Sequence, residues 1–213
     1  MVRQPPSSAH ALIHAVRAAA TTNHAAASEV VARALGEFAK APGIPVEALV
    51  GRAPRDYQRL LLNSAQDEFH VVLALWAPGS VSPIHDHAGL SGAIACPLGS
   101  VLETRYAVVE RLAGRVRLGV AGSELVAGRS ATVLDQSPSG QLHAIANLGD
   151  QWAATVHAYL GRLQQYAVYR REEGDWYRAR PSQLWFDATD VARAWLKPAE
   201  GSSSADLPSA PAE

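Results

Sequence analysis

The sequence predicts a mainly β protein, a small antiparallel β-barrel with α-helices ahead of it. Three features carry that reading. Up to about residue 41 the chain is rich in Ala and sets its apolar residues at helical spacing. From Phe69 onward the texture changes to short β-branched runs divided by Gly and Pro at regular intervals. No helices alternate with those runs, so a closed barrel or sandwich fits better than a parallel sheet of β-α units.

Leu12, Ile13 and Val16, then Val30, Val31, Leu35 and Phe38, mark two amphipathic helices between His10 and about Ala41, parted at Thr21-Thr22-Asn23. Pro45 to Val50 adds a short helical turn. Strands are expected at Phe69 to Trp76, Gly92 to Cys96, Val101 to Val109, Val116 to Val120, Ser130 to Leu134, Leu142 to Ala146 and Trp152 to Tyr159. Tyr166 to Arg178 reads as a further hairpin and Asp187 to Leu196 as a closing helix. Residues 1–8 then form a flexible N-terminus and residues 9–197 one domain, with helices over 9–50, the barrel over about 55–180 and the closing helix over about 187–196. The Ser/Pro/Ala-rich residues 198–213 read as a disordered tail, and no internal repeat is evident.

With 213 residues, 48% of them hydrophobic and 18% charged, the chain can bury one substantial core. Its 19 basic and 20 acidic residues are interspersed, which argues against nucleic acid and anionic membranes and for a small-molecule partner. The N-terminus lacks an apolar run of signal-peptide length and no segment is long enough to span a bilayer, so a cytoplasmic protein is expected, a monomer or weak homo-oligomer. The single cysteine, Cys96, allows no internal disulfide and no zinc site built on several thiolates; its apolar neighbours make it a core residue.

Pro83-Ile84-His85-Asp86-His87 is the richest stretch for chemistry, and His143 echoes it later. On a strand, residues two apart share a face, so His85 and His87 can converge on one ion while Asp86 points away to a structural hydrogen bond. Three neutral imidazoles suit iron, zinc, copper or nickel and do not by themselves choose among them. The remaining histidines carry less weight: His10, His14 and His24 fall in the Ala-rich helices, and His70 opens a strand with no visible partner. The five tryptophans, Trp76, Trp152, Trp176, Trp185 and Trp195, read as core and edge packing.

Gly79, His85, His87 and Gly99 fit the first motif of the cupin superfamily, with Gly92 where that motif usually has glutamate. Pro138, Gly140, His143 and Asn147 fit the end of the second, while Thr132 stands where its upstream glycine belongs and Gly128 lies nearby. Tyr57-Gln58-Arg59 resembles the Tyr-x-Arg segment of the cysteine dioxygenase family, Phe69 and Trp76 follow at that family's spacing, and Thr155-Val156-His157-Ala158-Tyr159 resembles its Ser-x-His-x-Tyr triad. The chain thus resembles the bacterial type of that family over about Arg55 to Tyr159.

The resemblance implies a cupin-type antiparallel β-barrel (jelly-roll) with N-terminal α-helices, in which His85, His87 and His143 hold Fe(II). It implies thiol dioxygenase activity, in which both atoms of O2 pass to the sulfur of a small thiol carboxylate. Arg59 is then the cation that receives the carboxylate, since its planar fork can grip it through two parallel bonds, and Tyr57 donates beside it. Tyr159 donates toward oxygen or substrate, with His157 and Thr155 steering its hydroxyl. In many animal relatives a cysteine at the position of Gly92 is linked to the tyrosine matching Tyr159; glycine offers no such link.

Within the family it resembles, an arginine at the Arg59 position goes with L-cysteine and a glutamine there with 3-mercaptopropionate, so the resemblance implies L-cysteine, although Gln58 is adjacent and a one-residue shift would present it instead. Mercaptosuccinate would also suit an arginine and would call for a second cation, with Arg170 or Arg171 as candidates. The alternative of another class is a non-catalytic metal-binding cupin that senses or binds without turnover.

Overall fold

The computed structural model describes residues 8–22, 26–42, 45–51, 53, 55–128, 130–134 and 142–194. Helices α1 (Ser8–Ala20) and α2 (Ala27–Lys40) come first, followed by the single-turn α3 (Val46–Val50). Leu12, Ile13 and Val16 of α1 are buried, as are Val31, Leu35 and Phe38 of α2, so the apolar stripes of the sequence are the packed faces. Val30 falls off that stripe and is 41% exposed.

Eleven strands follow among the described residues: β1 (Tyr57–Leu61), β2 (His70–Trp76), β3 (Ile84–His85), β4 (Gly92–Leu98), β5 (Ser100–Leu112), β6 (Arg115–Ala127), β7 (Ala131–Leu134), β8 (Leu142–Ala146), β9 (Ala153–Tyr159), β10 (Gln165–Glu173) and β11 (Trp176–Gln183). One antiparallel sheet has the order β1-β2-β9-β4-β7. The other runs β10-β11-β6-β5-β8-β3 and closes on itself, because β3 pairs with β10 as well as with β8.

The five-stranded sheet is covered on both faces. Val71, Leu73 and Leu75 of β2 and Ala154, Val156 and Ala158 of β9 share a core with α1 and α2. Their alternate neighbours, Val72, Ala74 and Trp76 among them, turn toward Val101, Val126, Ile145 and Val168 of the second sheet. Burial on both faces leaves every residue of β2 and β9 buried, which is why both are mostly apolar rather than alternating. The inward face of this sheet is therefore the floor on which a site between the sheets is built.

Several elements depart from expectation. Residues 57–61 form an edge strand, in antiparallel register with β2 from Tyr57↔Trp76 to Leu61↔Val72. The β5–β6 hairpin is longer than its β-branched runs, because ladder pairing continues through Ser123↔Thr104 to Ala127↔Ser100. The closing helix is reduced, among the described residues, to α4 (Val191–Ala194). Asp187 is drawn into bonding with β1, its Oδ2 accepting from the Arg59 amide at 2.9 Å, and Asp190 has φ 55°, so no helix runs through 187–190. Residue 8 already belongs to α1, while residues 1–7, His24, Pro138, Gly140, Trp195 and the expected tail at 198–213 lie outside the described residues.

Candidate metal centre and substrate cavity

His85 is the last residue of β3 and pairs with His143 on β8, which puts the two imidazoles side by side. Their ring centroids are 4.7 Å apart. His87 lies beyond the strand, just before a turn in which Ala88 and Gly89 take positive φ. The two-residue spacing still brings it in, with centroids 5.3 Å from His85 and 4.7 Å from His143. One ring nitrogen of each histidine lies within 4.8 Å of the others, and no carboxylate or thiol joins the cluster among the described residues.

The nitrogens of this cluster are prepared as acceptors. Nδ1 of His85 faces the Pro83 carbonyl at 2.9 Å and Nδ1 of His143 faces a carboxylate oxygen of Glu103 at 2.6 Å. Neither partner can donate, so each Nδ1 carries the proton and each Nε2 presents a lone pair. Nε2 of His143 and both ring nitrogens of His87 are buried without a hydrogen-bond partner. Burying such groups unpaired is costly, and a cation at their focus would satisfy them. Burial, and then the neighbouring His143, hold His85 and His87 well below the usual histidine range, so both stay neutral as ligation requires. This donor set fits a divalent first-row metal.

A cavity of about 30 Å³ adjoins His85 and is lined by Tyr57, Arg59, Trp76, His157, Tyr159 and Tyr166, with Val72, Ala74, Ile145, Leu163 and Leu184 as apolar wall. Its size suits a ligand of few atoms. Tyr57 and Arg59 reach it because strand alternation sends positions 57, 59 and 61 to one face. Gln58 points the other way, and presenting it instead would turn the whole strand over, which removes the one-residue-shift alternative.

Arg59 is held from several sides. Its Nε donates to the Tyr57 hydroxyl at 2.9 Å and its Nη2 to that of Tyr166 at 3.4 Å, and the indole of Trp185 stacks 5.4 Å from the guanidinium carbon. Burial opposes its charge, but the tyrosine oxygens outweigh that and keep it firmly protonated.

Thr155, His157 and Tyr159 share the inward face of β9 and form a chain. The Trp76 indole N–H donates to Thr155 Oγ1 at 2.9 Å, leaving the threonine hydrogen for His157 Nε2 at 2.8 Å. His157 then carries its proton on Nδ1, 3.4 Å from the Tyr159 hydroxyl oxygen, so that hydroxyl keeps its own hydrogen to donate. Burial, followed by His143 and Arg59, pushes His157 down to about 3, and burial raises Tyr159, so the histidine is neutral and the tyrosine protonated at neutral pH.

The sequence missed Glu103, Tyr166 and the polar duty of Trp76. Glu103 could have been flagged as a charge in the inward register begun by Val101, whereas nothing local marks Tyr166. Asp86 accepts from the backbone of Ala88 and Ala167 at 3.2 and 2.9 Å, as its outward position suggested. Arg170 and Arg171 are exposed, past the point where burial along β10 stops at Val168, and neither lines the cavity, so they give no second cation there. Cys96 is buried, its thiol donates to the carbonyls of Leu98 and Gly99, and burial lifts it to about 11. Gly92 stands opposite Tyr159 in register, and a Cβ there would lie 2.1 Å from the Ala158 carbonyl oxygen. Neither a glutamate nor a cysteine fits that backbone without displacing β9.

Residues 8–172 match the model of the family described as cysteine dioxygenase type I. No curated protein matches the chain. Among solved structures, an oxalate oxidase in complex with the substrate analogue glycolate aligns at 19% identity and TM-score 0.39, covering 51% of this chain and 53% of that one. The chain thus spans about half the length of that oxidase. A protein from Thermus thermophilus aligns at 17% identity and TM-score 0.42, covering 56% of this chain and 96% of its own. A sugar phosphate isomerase of a cupin superfamily from Silicibacter pomeroyi aligns at 13% identity and TM-score 0.39, covering 56% and 69%.

Proposed function

We propose, for a chain that belongs to the cysteine dioxygenase type I family, an Fe(II)-dependent oxidation of a small thiol carboxylate by O2 to its sulfinate, with L-cysteine as the preferred substrate. The observation that carries this reading is the juxtaposition of three convergent imidazoles, two of them buried and none with a carboxylate in the cluster among the described residues, with a small cavity lined by one fixed guanidinium. Held by His85, His87 and His143, iron would supply the thiolate coordination and the oxygen activation that no side chain provides.

The chain's own residues supply orientation, charge and a proton donor. Arg59 receives the substrate carboxylate, and its tethers to Tyr57, Tyr166 and Trp185 fix the fork before substrate arrives, so little side-chain entropy is lost on binding. The Tyr159 hydroxyl, its hydrogen released by the Trp76-Thr155-His157 chain, donates into the cavity. Val72, Ala74, Ile145, Leu163 and Leu184 exclude water and so strengthen these polar contacts. In the net reaction sulfur gains both atoms of one O2, and the thiol hydrogen leaves as the proton of the sulfinic acid. A reducing cytoplasm would keep such a substrate as a thiol.

Replacing His143 with alanine tests the reading, with iron content and thiol-dependent oxygen uptake measured together. Both are expected to collapse. Full iron occupancy in the variant would remove His143 from the ligand set and the proposed centre with it.

A further inference from the structure

Glu103 is the one carboxylate among the described residues that touches the histidine cluster, and it does so from outside the cavity. It is 1% exposed. One oxygen accepts from His143 Nδ1 at 2.6 Å and the other from Arg105 Nη2 at 2.9 Å. Burying a carboxylate is costly even when both oxygens are paired, and a hydrophobic residue of that size would serve a barrel core as well. The surroundings add to the cost. Glu103 lies directly opposite Glu124 on β6, a like-charge pair that Arg105 offsets by bonding both carboxylates, the second at 3.4 Å. Simple packing does not account for such an arrangement.

We infer that Glu103 is a positioning residue for the metal centre: its carboxylate locks His143 with Nε2 facing the cluster and lends that ligand negative charge from behind. This rests on the proposed three-histidine centre and deepens it. Three neutral imidazoles leave a divalent ion at its full charge. Gly92 cannot carry a charged ligand on the inner side, since a Cβ there meets the Ala158 carbonyl. Through a short charge-assisted bond to Nδ1, Glu103 makes His143 a stronger donor and returns part of that missing charge without using a coordination position. Arg105, on the same strand face two residues on, holds the second carboxylate oxygen so that the first stays aimed at the histidine.

The test uses the full chain carrying Glu103→Gln or Glu103→Ala, with Fe(II) affinity measured against a competing chelator, the Fe(III)/Fe(II) midpoint potential, and the visible spectrum of the Co(II)-loaded protein. The amide oxygen of glutamine can still accept from Nδ1, so Glu103→Gln should keep iron affinity within about tenfold of the parent. Glu103→Ala should lose about 10- to 100-fold. The midpoint potential should rise in both, because both lack the negative charge, and the cobalt bands should shift. A role confined to packing would leave the potential of Glu103→Gln where it was, and that result overturns the inference. Should Glu103→Ala fail to fold, the potential and cobalt spectrum of Glu103→Gln decide alone. The two readings fail separately: a His143→Ala protein with parental iron affinity removes the centre itself, whereas His143-dependent iron with both Glu103 variants unchanged removes only the role of Glu103.

Discussion

Arg59 is a half-buried guanidinium whose partners are tyrosine hydroxyls and an indole face rather than a carboxylate, so its charge is left available to a ligand. A lysine in its place would keep the charge but lose the planar fork and the stacking on Trp185. Hydrogen bonds to charged groups contribute about 1.5–3 kcal/mol each, so Arg59→Lys should lower kcat/KM for a thiol carboxylate by about 10- to 100-fold. Iron content should be unchanged, since Arg59 touches none of the three histidines. Steady-state oxygen uptake alongside metal analysis checks this, and an unimpaired variant would take the carboxylate clamp away from Arg59.

At the level of single elements, β4 and β9 approach so closely at Gly92 that a methyl group would overlap the Ala158 carbonyl. Gly92→Ala should therefore destabilise the protein by at least about 2 kcal/mol, visible as a lower urea midpoint; an unchanged midpoint would contradict the close approach. The elements also show why parts of the molecule were legible in advance. β2 and β9 announce themselves because apolar residues dominate both, and His85 and His87 because two-residue spacing is a local property. β1 was hidden, since Tyr57-Gln58-Arg59 has no apolar alternation and becomes a strand by pairing with β2. Likewise the late half of β6 takes its form from β5. Glu103 escaped notice because its partner His143 is 40 residues away in sequence, and no spacing rule spans that gap.

Across the whole molecule, helices cover one face of the five-stranded sheet and the second sheet covers the other, which buries His87, His143, His157 and Tyr159 between them. That arrangement makes stability depend on pH. His157 titrates near 6.5 in the unfolded chain and at about 3 when folded. Between those values the unfolded state binds a proton that the folded state does not, so stability falls as pH drops and is level above 6.5. The slope should reach about 1.4 kcal/mol per pH unit for this histidine, with His85 and His87 acting in the same direction. Urea unfolding of the metal-free protein from pH 7 to pH 4 should show that decline and a shallower one in His157→Gln; equal slopes would contradict neutral burial. The central claim is that the interior joins a three-histidine metal centre to a thiol carboxylate cavity, and its most direct measurement is oxygen uptake by the iron-loaded protein with L-cysteine, 3-mercaptopropionate and mercaptosuccinate, the products identified by mass spectrometry in ¹⁸O2. The account predicts preferred turnover of L-cysteine to a sulfinate carrying both labelled atoms, whereas full iron occupancy with no oxygen consumed on any of the three thiols would contradict it.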